Sequence, residues 1–581
     1  MAIGGWLEGL VPRTRKEGPV KVRLPYMIQD QLTAVRKGMK PDEGFEYQGD
    51  EHFLDGPVCE RVAVIDFDEA TQSLRPGVKF LSPPKGGGMG KYEVPKLGGQ
   101  YDVSSRDFQN VSVFSTVLKT MRAFESSDVL GRKLSWAFDG PQLLIVPRAG
   151  EWANAFYERA SRSLQFFYFT PRNGGGGDRR VYTSLSHDIV AHETAHAILD
   201  GIAPDLYGAV TPQAMALHEA VADLTALFTA IDSRALRYTV LDQAGGTIRG
   251  DTAFSRVAEE FARGLGERSG YLRRLNSMDK ISMVSPYDPY ALCEVLTGAL
   301  YQVLVTAFEE QKTRLSGIGP GDPDPKRKRF SASGRALVNA ARLVRRLAFR
   351  ALDYLPPGEV SFADYGRAIY AADRAANKTH PAYRRLLARE FKQRGIIADI
   401  ADLKPVPPPP GLAIPPVTQR TLIRSDWLAY DFVNANRKLL KIPPKIPFRV
   451  LPRLYVEKST YVTGGVEKKF RECILKISWE HVEANKIGPG YPPKRVIMVG
   501  TTLVLDGDNG HVRALLTTDL NPAHRRARDV VLRELLDQEL LAEPGAPPAF
   551  PDGPIAERDG EVLHLSGEAC TIHLRPQGGI R

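Results

Sequence analysis

Residues 188–223 read DIVAHETAHAILDGIAPDLYGAVTPQAMALHEAVAD. The segment opens with His192-Glu193-Thr194-Ala195-His196, an H-E-x-x-H motif set among apolar or small neighbours: Ile189, Val190, Ala191, Ala197, Ile198 and Leu199. Such neighbours suit a buried helix, and on a helix two histidines four residues apart share one face. Imidazoles so placed can grip one Zn²⁺ at about 2.0–2.1 Å. Glu193 points aside, where it can reach a water on the metal. Gly201, Pro204 and Gly208 read as the end of this helix and a loop. A second helix is expected from Pro212, a residue suited to the first helical position, to about Ala230. Glu219 and Asp223 then stand one turn apart. Glu219 is the expected third ligand, and Asp223 is placed to accept a hydrogen bond from the far nitrogen of a ligating histidine. The fourth position is left for water, as a catalytic zinc site requires.

These residues resemble the active site of thermolysin-like metallopeptidases, gluzincins with H-E-x-x-H followed by E-x-x-x-D. The resemblance spans roughly residues 105–396 and is densest around the motif. Asn154-Ala155-Phe156-Tyr157 is similar to that family's N-A-F-W edge strand, which implies that Asn154 binds substrate backbone. The resemblance gives Tyr207 the role of stabilising the transition state, and Glu193 that of the base. It sets Asp188 at a position that is a calcium ligand in thermolysin, but the acidic cluster needed after the second helix is thin, which leaves calcium doubtful. The family's later histidine, in an H-x-N-S-G context, has no counterpart. Alignment through Gly298-Ala299-Leu300-Tyr301 sets Tyr290 in its place. The implied activity is that of a zinc endopeptidase. An aminopeptidase would carry G-x-M-E-N, which is missing. The alternative is a pseudoprotease whose zinc is structural and which binds proteins through its C-terminal domain.

The expected fold is α+β: a β-rich N-terminal lobe and a mainly helical C-terminal lobe, followed by an α+β accessory domain. The divisions are an N-terminal arm (1–50), the peptidase-like domain (51–397), a proline-rich linker (398–425) and the accessory domain (426–581). Residues 1–50 look polar and interrupted, with a short helix near Met27–Val35. Arg61–Phe67, Leu143–Val146 and Ser163–Thr170 look like strands, and Asn110–Phe124 has helical spacing. SPPKGGGMGKYEVPKLGG reads as a loop; its Gly90-Lys91 lacks the rest of a P-loop. Helices are expected over Pro289–Gln311 and Leu337–Leu352, after a capping box at Ser361-x-x-Asp364, and between Pro381 and Gly395. Pro405–Pro416 should be an extended linker. Beyond it, Leu475, Ile477 and Trp479 alternate with polar residues, as in a half-buried strand. Asp506–Gly510 reads as a hairpin turn rather than a calcium loop, and Asn521-Pro522 starts an amphipathic helix. His564, Cys570 and His573 read as packing residues.

The composition is that of a soluble globular protein, with 43% hydrophobic and 25% charged residues. The net charge of +10 is spread over 581 residues. Its local clusters, Lys326–Arg329 and Arg342–Arg350, read as solvated faces, so no nucleic acid is expected. Four separated cysteines, Cys59, Cys293, Cys473 and Cys570, form no disulfide scaffold. There is no signal-peptide h-region and no run of about 18 apolar residues. A cytoplasmic location without a membrane span is therefore expected. Members of the resembled family are mostly secreted, so an unconventional export route is the alternative.

Overall fold

The computed structural model describes residues 20–30, 40–68, 71–84, 87–171, 180–316, 331–377, 382–404, 411–412, 414–461, 467–537 and 555–566. The fold is mixed α+β. Two four-stranded sheets stand at the N-terminal side. In the first, Val20–Met27 pairs antiparallel with Asp42–Gly49 and parallel with Gly90–Tyr92, which also pairs with Phe80–Leu81. This corrects two readings. Residues 20–27 and 42–49, taken as part of a polar arm, are strands, and Gly90–Tyr92 is a strand inside the glycine-rich loop. Val22 and Leu24 alternate with polar residues over too short a run to stand out, yet both are fully buried. The helix expected near Met27–Val35 has its first two residues, Met27 and Ile28, in a strand end and a bend; residues 31–39 lie outside the described set.

The second sheet runs in the order Ala155–Glu158, Ser163–Phe166, Leu143–Val146, Val62–Val64. Ala155–Glu158 is its edge strand and pairs antiparallel with Ser163–Phe166. Against these sheets lies Arg106–Glu125, capped by Ser105, whose side chain accepts the Phe108 N–H.

The expected helices form. His187–Ile202 carries the motif and is capped by Ser186. Gly201 does not end it: a Cβ there would stand 2.1 Å from the Ser135 carbonyl oxygen, so this glycine admits a close backbone neighbour. The helix stops one residue later, ahead of Pro204, which begins a single turn, Pro204–Tyr207. Pro212–Asp232 follows with Pro212 at its first turn. Pro289–Ser316, Ser331–Arg350, Phe362–Ala376 and Ala382–Gln393 complete the helical part. The capping box of Ser361 and Asp364 has both of its reciprocal bonds. Pro212–Asp232 and Pro289–Leu315 are long and apolar enough to cross a membrane, but 94% and 78% of their apolar windows are buried inside this fold. Core packing accounts for their composition.

The C-terminal part is a sheet of Arg449–Tyr461, Glu467–Ala484, Lys494–Asp506, Val512–Thr517, Ile555–Asp559 and Val562–Ser566. The hairpin at Asp506–Gly510 and the helix Pro522–Asp537 form as read. Two expectations need correction. Pro416–Arg424 is helical, and Leu412, Ile414 and Leu422 sit in the core under the C-terminal sheet, so this unit begins inside the stretch read as linker. Residues 405–410, with most of the prolines, lie outside the described set, as do Cys570 and His573. His564 lies on the strand Val562–Ser566. The middle of Glu467–Ala484 is also not half-buried. Cys473, Leu475 and Ile477 pack under Pro416–Arg424 and Asp426–Ala435, while Ile474 joins the core of the helical part, with Val456 and Val504 from neighbouring strands. Cys59, Cys293 and Cys473 are buried free thiols.

Between the C-terminal sheet and the helical part lies a network of buried charges. Asp353 receives Arg132 at 2.9 Å and Lys458 at 2.7 Å, and Lys458 also stands 3.2 Å from Glu472. Tyr354 and Arg513 both reach Glu472. Lys476 donates to the carbonyls of Ile202 and Leu352 at 3.1 and 3.3 Å; burial lowers its pKa to about 8. Burial alone would raise the Asp353 pKa, but Arg132 and Lys458 outweigh it and hold the carboxyl below its usual range. The stability this contributes is fully present above the unfolded carboxyl pKa of about 3.9 and is lost as pH falls through the lower folded value. Asp353→Asn should therefore cost about 3–5 kcal/mol at neutral pH, because it removes the carboxylate that Arg132 and Lys458 share and leaves Glu472 alone to balance Lys458. In urea titrations the gap between variant and wild type should narrow below about pH 4.

Candidate metal centre

The motif helix and the helix Pro212–Asp232 pack directly on one another. Ala191, Ala195, Ala216, Ala220 and Ala222 are fully buried on these two helices, and such small residues permit close approach. At the contact three donor side chains converge, with Glu219 turning one carboxylate oxygen toward each histidine. His192 Nε2 and His196 Nε2 are 3.1 Å apart, and each stands 3.4 Å from a Glu219 carboxylate oxygen. Donors about 2.0–2.1 Å from one tetrahedral ion stand about 3.3–3.4 Å from each other. The triangle fits a single ion, and two imidazoles with one carboxylate form a donor set suited to a first-row transition metal. All three side chains are buried, and they are the only such group of His, Cys, Asp and Glu donors among the described residues. His192, His196 and Glu219 could therefore hold a metal ion.

Neighbouring side chains orient these three residues. Asp223 Oδ1 lies 2.9 Å from His192 Nδ1, where the sequence places it. Asp223 is in turn held by Arg273, with contacts of 2.8 and 2.7 Å. Burial disfavours the Asp223 carboxylate, but Arg273 and His192 prevail and keep its pKa below the usual range. Arg273 also stands 3.6 Å from Glu219. It comes from the two-residue strand Arg273–Arg274, paired with Arg256–Val257, and nothing in its local sequence marks it. His218 is the second residue missed. Its Nδ1 lies 2.6 Å from His196 Nδ1, and the two rings stack at 4.8 Å. With His196 Nε2 given to a metal, its Nδ1–H donates to His218 Nδ1, which places the His218 proton on Nε2. The signal was available, since His218 immediately precedes Glu219.

Glu193 is buried beside this cluster. Burial, reinforced by the charge of Glu219, raises its pKa to about 8, against the pull of His192, Arg273 and the Tyr157 N–H. Burial opposes protonation of His192, but hydrogen bonds to Asp223 and Glu219 outweigh it and raise that ring to about 9. A metal ion taken up by a protonated His192 would displace that ring's proton.

The edge strand Ala155–Glu158 borders the centre. Tyr207 Oη lies 3.5 Å from the Tyr157 carbonyl oxygen. Arg159 braces the turn that carries Tyr207: it pairs with Asp200, donates to the Pro204 carbonyl at 3.0 Å and lies over the Tyr207 ring at 4.6 Å. Tyr157 also donates to Asp200, at 2.8 Å. Asn154 is buried at the head of the edge strand, and its Oδ1 accepts the Ala155 N–H at 2.9 Å. The amide NH₂ is thus the group it can offer to a carbonyl. Tyr290 is half-buried at the start of Pro289–Ser316, with Arg273 over its ring at 5.7 Å. Arg273 therefore links it to the ligand cluster. Asp188 lies on the other side of the motif helix start, where Gln29 approaches it at 3.5 Å.

No family model matches the chain, and no curated protein matches it.

His218→Ala should weaken metal retention about 10–100-fold, the usual cost of removing the group that orients a ligating histidine. Chelator competition on purified protein measures this. His196→Ala should abolish retention, and equal affinity of His218→Ala and wild type would remove His218 from the centre.

Proposed function

We propose that this protein is a zinc-dependent endopeptidase of the thermolysin-like kind. The carrying observation is the buried triangle of His192, His196 and Glu219 beside Glu193, on two abutting helices. The arrangement around it supports the same reading: sheets on the N-terminal side, helices on the C-terminal side, and an edge strand bordering the centre. Zinc is the metal that a two-histidine, one-glutamate set with a fourth position for water suits best, and when bound it supplies Lewis acidity to a carbonyl and acidifies water.

The chain's own residues supply the rest. The edge Ala155–Glu158 offers backbone groups to an extended peptide, and Asn154 fixes the peptide's register with its amide NH₂. Glu193 takes the proton of the attacking water and passes it to the leaving amine. Tyr207, braced by Arg159, donates its hydroxyl hydrogen to the oxygen that gains charge at the scissile carbon. Asp223 holds His192 in one tautomer, and Arg273 holds Asp223. Tyr290 serves as a second neutral donor where the resembled family uses histidine. That substitution is also what favours the alternative, an inert binding module that keeps the metal as structure.

Glu193→Gln separates the two readings. The variant should keep stoichiometric zinc and its fold but lose peptide hydrolysis by several orders of magnitude, because only the base is removed. Digestion of a broad peptide library, with zinc measured in parallel, reads this out; a wild-type protein that holds zinc and cleaves nothing is the binding module.

Tyr290→Phe should lower kcat by about 10²–10³ with zinc content unchanged. Unchanged turnover would leave Tyr290 a packing residue under Arg273.

A further inference from the structure

Outside the metal centre, the outer side of the C-terminal unit has an unusual surface. The helices Pro416–Arg424 and Asp426–Ala435 lie there, followed by the start of the strand Arg449–Tyr461. Along these elements Val417 is 78% exposed, Trp427 71%, Leu451 59%, and Leu428 and Tyr430 40% each. Isolated exposed apolar residues need no explanation, but three aliphatic and two aromatic side chains within 35 residues do. The rings are organised. Tyr430 lies flat on Phe448 at 4.8 Å, and Trp427 continues the stack at 6.2 Å.

The same stretch concentrates positive charge. Residues 416–453 hold eight Lys and Arg against two carboxylates, in a chain whose whole net charge is +10. Arg420, Arg424, Lys438, Lys441, Lys445 and Arg449 are exposed. Arg437 ties these cations to the rings: it packs on Phe448 at 4.7 Å and donates to the carbonyls of Pro443 and Ile446 at 3.0 and 2.9 Å. The turn bearing Lys445 is thereby held beside the stack, and Arg449 follows Phe448 directly. Of the two carboxylates, Asp426 is paired with Arg453, and Asp431 is exposed.

We propose that this face docks on an anionic lipid bilayer. The charge is complementary to acidic headgroups. Trp427 and Tyr430 suit the headgroup level, and the exposed aliphatic residues of the two helices, Val417 and Leu428, suit the boundary with the acyl chains. A single-stranded nucleic acid would use the ring stack and the cations but leaves the exposed aliphatic residues without a role. Nothing in this proposal depends on the metal centre.

The test is sedimentation of the full-length protein with vesicles of phosphatidylcholine, alone or with about 30 mol% phosphatidylserine, in about 0.1 M salt. Binding is expected to the anionic vesicles only, and to weaken as salt rises. Trp427→Ala should lower the partition coefficient about tenfold. Lys438→Ala, Lys441→Ala and Lys445→Ala combined should lower it about a hundredfold. These side chains are exposed, and circular dichroism confirms that each variant is folded. Absence of binding to anionic vesicles overturns the proposal, as does equal binding to neutral ones or binding that both variants retain. Binding of a single-stranded oligonucleotide, lost in the same variants while vesicles are ignored, assigns the face to nucleic acid instead.

Discussion

Burying an ionised group is tolerable only when another charge meets it with good geometry. That constraint governs the whole molecule. At the candidate metal centre Glu219, Asp223, His192 and Arg273 are all buried, and each meets an oppositely charged or hydrogen-bonding neighbour among the others. Arg273 and Asp223 satisfy each other, which leaves Glu219 and the two histidine Nε2 atoms facing one point. The closeness of the helices makes this possible.

The same constraint recurs where the C-terminal sheet meets the helices. Asp353, Lys458, Glu472 and Lys476 are buried there, in a setting that reads from sequence as ordinary strand alternation. Lys476, Ser478 and Glu480, alternating with Leu475, Ile477 and Trp479, look like a solvated face. Burial of the second face depends on what lies across it, and that partner is more than 100 residues away in the chain. Alternation reports that the two faces of a strand differ, not that one of them is wet.

Much of the centre was legible for a local reason. Two histidines at a spacing of four, and a glutamate and an aspartate at a spacing of four, become geometry as soon as each segment is helical. The capping box at Ser361 and the turn at Asp506–Gly510 are local in the same sense. Arg273 was not legible, because its role comes from a two-strand ribbon that brings it 50 residues back to Asp223. The strands at Val20–Met27 and Asp42–Gly49 were missed because their pairing, not their composition, makes them strands. Gly201 looked like a helix stop; what requires a glycine there is the Ser135 carbonyl pressed against it.

Lys476 carries one further consequence, which concerns time. The carbonyl it caps at the end of the motif helix belongs to Ile202, 274 residues earlier. At about 5–20 residues per second, a ribosome needs roughly 15–55 s to connect the two. Through most of that interval the nascent chain contains both histidines, Glu193 and Glu219, but the C-terminal end of the motif helix lacks its buried cation. The helix that carries the motif is thus completed only after synthesis has passed well into the C-terminal unit.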